Sequence, residues 1–62
     1  MKHRVIDGVT YYPRTTKEKD KFFAVISFVG SKIGAHTFYI NEPQPTRSKA
    51  RTIAVNHIKN IK

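Results

Sequence analysis

Phe22-Phe23-Ala24-Val25-Ile26-Ser27-Phe28-Val29 is a run of eight residues with no Gly, Pro or charge, and most of its side chains are aromatic or β-branched. A segment of this length and composition reads as a strand, and its neutrality makes it the central one. Alternation puts Phe22, Ala24, Ile26 and Phe28 on one face and Phe23, Val25, Ser27 and Val29 on the other. Both faces are apolar, so the pattern leaves open which of them meets a core. We take the first as inward, because small Ala24 admits an approaching helix while Phe22, Ile26 and Phe28 pack around it. The other face would then leave Phe23, Val25 and Val29 partly exposed, as a liability or a contact surface.

The flanks of this run supply the rest of a sheet. Gly30-Ser31-Lys32 reads as a tight turn into a strand over 33–40, in which Gly34 marks a bulge or a close approach. Upstream, Val9-Thr10-Tyr11-Tyr12 is strand-like over about 9–14. Pro13 has no N–H to give to a ladder, so it places this strand at an edge or ends it. The polar stretch Thr15-Thr16-Lys17-Glu18-Lys19-Asp20 is then the loop into the central strand, 21–29. Asp7-Gly8 between Val5-Ile6 and Val9 is a two-residue hairpin signal, which leaves room for a fourth short strand near residues 3–6.

After Ile40 the chain changes character. Asn41-Glu42-Pro43-Gln44-Pro45 is a stiff, extended connector, and Thr46 or Ser48 can cap a helix over about 46–61. Apolar side chains at Ala50, Ile53, Ala54, His57/Ile58 and Ile61 form one helical stripe. Residues 46–62 carry five positive charges and no negative one. Arg47, Lys49 and Arg51 crowd the first turns, where the macrodipole is already positive and each cation costs up to about 0.3–1 kcal/mol. An incoming phosphate is the simplest reason to keep them there, since a helix start also offers free N–H groups.

Charge and length bound the function. Twelve Lys and Arg against four Asp and Glu give a net charge of +8 in 62 residues, the footprint of a polyanion binder. A chain this short holds one small core and no deep cleft. It has no Cys, so the fold rests on apolar packing alone, which favours the cytoplasm, where disulfides are rare. No apolar run approaches a membrane span. The opening Met1-Lys2-His3-Arg4-Val5-Ile6-Asp7, with Met1 read as a native start, lacks the apolar segment of a signal peptide. Catalytic constellations are missing too. His3, His36 and His57 are scattered, and Asp7, Glu18, Asp20 and Glu42 fall in expected turns. Gly30-Ser31-Lys32-Ile33-Gly34 lacks the spacing of a phosphate-binding loop. We therefore expect neither enzymatic activity nor a cofactor.

The expected fold is α+β, one domain over 1–62: a three-stranded antiparallel sheet packed against one C-terminal helix, in the order β-β-β-α. Gly8-Val9, Lys21-Phe22-Phe23-Ala24-Val25-Ile26, Lys32-Ile33, Thr37-Phe38 and Ala50 with Ile53-Ala54 follow one another along the chain. In that order they resemble the landmarks of the three-strand-plus-helix DNA-binding domain. That domain is shared by the N-terminal arm-binding region of phage and transposon tyrosine recombinases (integrases), certain homing endonucleases, and plant Apetala and ethylene-response factors. The resemblance implies a sheet that enters the major groove with a helix behind it, and outward side chains at Phe23, Val25, Ser27, Val29 and His36. It differs in two respects: the outward face here is mostly hydrocarbon where the family presents Arg, Lys and polar groups, and the connection from Phe38 to Ala50 is longer.

The leading expectation is a double-stranded DNA-binding module of phage or mobile-element origin, cytoplasmic and nucleoid-associated, acting in site-specific recombination or transcriptional control. Arg14, Lys17, Lys21, Ser27, Lys32 and His36 would meet DNA from the sheet and its loops. Arg47, Ser48, Lys49 and Arg51 would hold the backbone. Two groups have a plainer reading, in which the helix cations Arg47, Lys49, Arg51 and Lys59 are a solvated face and Lys17, Lys19 and Lys21 are neutralised locally by Glu18 and Asp20, whereas Arg14, beside Pro13, has no acidic neighbour. Two other classes stand beside it. A protein-interaction module would dock a partner or a second copy through Phe23, Val25 and Val29, and an RNA binder would stack bases on Tyr11, Tyr12 or Tyr39.

Overall fold

The computed structural model describes residues 2–61; Met1, read above as a native start, and Lys62, one of the five helix-segment cations, lie outside them. The chain forms β1 (Arg4–Ile6), β2 (Val9–Glu18), β3 (Lys21–Gly30), β4 (Gly34–Tyr39) and α1 (Arg47–Lys59). The strands pair antiparallel in the order β1-β2-β3-β4, with the helix across one face. The class is α+β as expected, but the sheet has four strands rather than three. The extra one is the short strand that Asp7-Gly8 left room for: both residues have positive φ, 50° and 78°, as a two-residue hairpin turn with the strand twist requires.

The largest departure lies in β2, which runs on through Pro13 to Glu18. Thr15 to Glu18 are strand rather than loop, paired from Thr15↔Ala24 to Glu18↔Lys21, so the turn shrinks to Lys19-Asp20. Lys19 takes a left-handed φ of 55° to make it. Pro13 neither ends the strand nor sits on an edge strand, since β2 lies between β1 and β3. Register explains why it is tolerated. Glu18 and Lys21 flank a two-residue turn, so even-numbered residues of β2 bond to β3 and odd-numbered ones point the other way. Pro13 therefore turns its missing donor past the end of β1, whose pairing stops at Arg4↔Tyr11.

On the other side of β3 the turn is Ser31 to Ile33, and β4 starts at Gly34 rather than Ile33. Gly34 is needed for its φ of 75°, with open space where a Cβ would be. The close approach is at Gly30, where a Cβ would lie 3.0 Å from Ile33 Cγ1 and 3.2 Å from Val9 Cγ2. Beyond β4 the connector stays beside the sheet, with Gln44 exchanging backbone hydrogen bonds of 2.8 and 2.9 Å with Phe22.

Thr46 is the cap: its hydroxyl oxygen accepts the Lys49 N–H at 3.2 Å. The helix ends at Lys59, two residues short of the expected bound. It packs on β2 and β3 through Ala50, Ala54 and Ile58, all fully buried, over Ala24 and Ile26. Tyr11, Phe28 and Ile53 close the margin of this core. The face chosen as inward is the one the helix covers, and the small Ala24, Ala50 and Ala54 let it come close. His57, assigned to the stripe jointly with Ile58, is exposed.

Candidate nucleic-acid interface

Pairing fixes which side chains share the face opposite the helix. From β1 to β4 it carries Val5, then Thr10, Tyr12, Arg14, Thr16 and Glu18, then Lys21, Phe23, Val25, Ser27 and Val29, then Ala35, Thr37 and Tyr39. We call it the open face. Arg14 stands in its middle, exposed, with its guanidinium 5.8 Å from the centroid of Tyr12, two residues back along the same face. The His3 ring joins this group at 5.9 Å from Tyr12. Hydroxyls of Thr10, Tyr12, Thr16, Ser27, Thr37 and Tyr39 surround it, and the single carboxylate, Glu18, is at the far strand end beside Lys21.

The open face is less greasy than its sequence suggests. Val25 is only 5% exposed, flanked by its cross-strand neighbours Arg14 and Tyr39, and Phe23 is half-buried. The expected apolar contact surface of Phe23, Val25 and Val29 is thus reduced to Val29, which is exposed between its cross-strand neighbours Thr10 and Ala35.

A second basic group forms where α1 begins. Arg47 donates to Thr15 Oγ1 at 3.2 Å and lies 5.3 Å from the centroid of Phe22, and Lys17 approaches the same ring at 5.7 Å. The ring's negative face offsets part of the repulsion between these cations, and Arg47 is partly occupied inside the fold rather than held only for a ligand. The helix start is thereby pinned to the β2–β3 turn, the end of the sheet that also bears Lys19 and Lys21. Ser48, Lys49 and Arg51 are exposed on the helix's first turns, and the Ser48 carbonyl accepts the Thr52 hydroxyl.

The ten residues selected from the sequence do not make one surface. Arg14, Lys21 and Ser27 share the open face. Lys17, Arg47, Ser48, Lys49 and Arg51 gather around the helix start, and Lys32 sits on the β3–β4 turn at the opposite end of the sheet. His36 does not face outward with Ser27: it pairs with Phe28 on the helix side, its ring stacked 5.4 Å from that of Phe28 and its Nε2 against the Ile33 carbonyl. The outward placement of His36 is what the resemblance implies; the expected strand bounds themselves pair it with an even-numbered residue of β3, on the side where the structure has it.

Sequence reasoning passed over Arg4. Its Nη1 donates to the carbonyl oxygens of Ile58 at 2.8 Å and Lys59 at 2.7 Å, closing the C-terminal end of the helix from 54 residues away. A cation there complements the dipole. Among the described residues, no group of three or more His, Asp or Glu is placed to hold a metal ion, and no helix is long and apolar enough to cross a membrane. Comparison with family models, with curated proteins and with solved structures found no match.

Proposed function

We propose that the chain is a double-stranded DNA-binding module that lays its open face against the groove and its helix start against the phosphate backbone. The observation that carries this reading is Arg14: an exposed cation at the centre of a hydroxyl-bearing sheet face, with no carboxylate nearer than the strand end, on a chain of net charge +8. Sheet strands are an established way of entering a groove. Arg14 supplies the fork suited to a base edge or a phosphate, and Thr10, Thr16, Ser27 and Thr37 supply hydroxyls that bond either. Lys17, Lys19, Lys21, Arg47, Lys49 and Arg51 bring positive potential to one end of the sheet, and Lys32 brings it to the other. The part given to the sheet is the one implied by the resemblance to the recombinase and Apetala-type domains, in which the helix stands behind it; the part given to the helix start rests on its charge, and a role in recombination or transcriptional control of a mobile element rests on the resemblance.

The burial of Val25 favours this reading over docking of an apolar protein partner on the same face. The test is a salt titration of binding to a generic duplex, followed by amide shifts on the complex. Neutralising several phosphates makes log K fall steeply with log salt. The expected result is such a slope, with shifts confined to β2, β3 and the first turns of α1. A flat salt response, or tighter binding to single strands or structured RNA at the same salt, overturns it.

A further inference from the structure

The sheet has two edges, and they are unlike. β1 is three residues long, and its Arg4 is engaged with the helix end. β4 is six residues long, fully exposed, and contains no Pro, Lys, Arg, Asp or Glu, so it has none of the usual protections of an edge. Its free side can be assigned. The Ile40 N–H bonds to the Ala24 carbonyl at 3.0 Å, so by alternation Phe38 and His36 bond inward to β3. Ala35, Thr37 and Tyr39 therefore present their N–H and C=O groups to solvent.

We infer that β4 pairs with β4 of a second copy, antiparallel about a two-fold axis at Thr37, joining two four-stranded sheets into one of eight. This register is the one that sets the three outward-bonding residues against one another: Thr37 opposite Thr37, Ala35 opposite Tyr39, and Tyr39 opposite Ala35, each pair exchanging two hydrogen bonds. Side chains then fit. Tyr39, 63% exposed in the single chain, lies across from the small Ala35 of the second copy, and Phe38, 54% exposed, from its His36. Charge fits as well. Between residues 22 and 45 the only charged side chains are Lys32 and Glu42, and both lie outside β4, so two chains of net charge +8 can meet along this edge with no like charges opposed. A second copy is favoured over an unrelated strand because a single register pairs every outward group of both edges and seats each exposed Tyr39 against a small Ala35. The dimer also keeps the basic helix starts away from the seam, since α1 packs on β2 and β3. The inference stands whether or not DNA is the ligand.

Sedimentation equilibrium of the full chain across a concentration series up to about 1 mM is the test. The expected result is a concentration-dependent rise from 7.2 kDa to twice that mass. Thr37→Pro removes an outward N–H that the single chain does not use, so it is expected to abolish the heavier species while leaving the circular dichroism spectrum unchanged. A chain that stays at 7.2 kDa throughout, or a folded Thr37→Pro variant that still dimerises, overturns the proposal.

Discussion

The two faces of β3 are nearly equal in sequence and unequal in the fold. Phe22, Ala24, Ile26 and Phe28 look toward α1, while Phe23, Val25, Ser27 and Val29 look away from it, and each set is mostly hydrocarbon. On the helix side burial is made by another element, which three alanines allow to approach. On the open side it is made by neighbours in the same sheet, so that Val25 is covered between Arg14 and Tyr39 while Val29, nearer the strand end, is exposed. The difference teaches that a face without a layer over it still has a centre and a rim. Substitutions can separate the two kinds of burial.

The largest effect is expected at Ile58, the largest side chain fully buried under the helix. Ile58→Ala removes its packing against Ala24 and Ile26 and leaves a cavity, at a cost of about 2–5 kcal/mol. A 62-residue domain at about 0.05–0.15 kcal/mol per residue holds about 3–9 kcal/mol in all, so thermal unfolding followed by circular dichroism should show a melt many degrees lower or none. Next comes the open face. Val25→Lys is expected to cost about 1–3 kcal/mol, because the ammonium must displace its cover to reach water, whereas Val29→Lys should stay within about 0.5 kcal/mol. Urea denaturation of the pair measures the contrast directly. Equal costs at the two positions would mean that the open face has no covered centre.

That central-strand pattern is also where the sequence is most legible. An uninterrupted apolar run, a small residue in its middle and a capped amphipathic segment after a Pro-rich connector suffice for the class, the layer order and the inward face. The connection of β2 is illegible for a physical reason. Local signals at Pro13 and in Thr15–Asp20 argue for a break, and pairing with a long central strand overrides them, since Pro13 faces a side with no partner strand and Lys19 can bear one left-handed turn position. Of the candidate site, charge and residue types are visible in sequence but their grouping is not, because one residue of register decides whether His36 lies with Ser27 or with Phe28. Arg4 was invisible for a related reason: a side chain that reaches across 54 residues leaves no local pattern.

Arg4 gives the next smaller effect. Arg4→Met keeps much of the apolar stem and removes the donors to Ile58 and Lys59, at an expected cost of about 1 kcal/mol. Amide exchange should rise in the last turn of α1 well before it rises in β3. Uniform acceleration through both would show that the helix end and the sheet open as one unit rather than separately.

The smallest expected change in stability is the one that bears most on function. Arg14→Gln and Lys59→Gln each remove one positive charge, from the centre of the open face and from the far end of the helix, while keeping most of the stem that covers Val25 in the first case, and each should shift unfolding by less than about 0.5 kcal/mol. Long-range attraction to a polyanion treats them alike, so if the protein met DNA through net charge alone, both variants would lose affinity equally. If the open face is the surface that docks, Arg14→Gln should reduce the magnitude of the salt slope by about 1 where the guanidinium meets a phosphate, or relax discrimination among sequences where it meets a base, while Lys59→Gln leaves both unchanged. Equal losses from the two variants would assign the binding to charge without a docking face. The contrast between an exposed arginine among hydroxyls and an exposed lysine at a helix end is therefore the sharpest available measure of whether the layer that covers one side of the sheet exists to present the other.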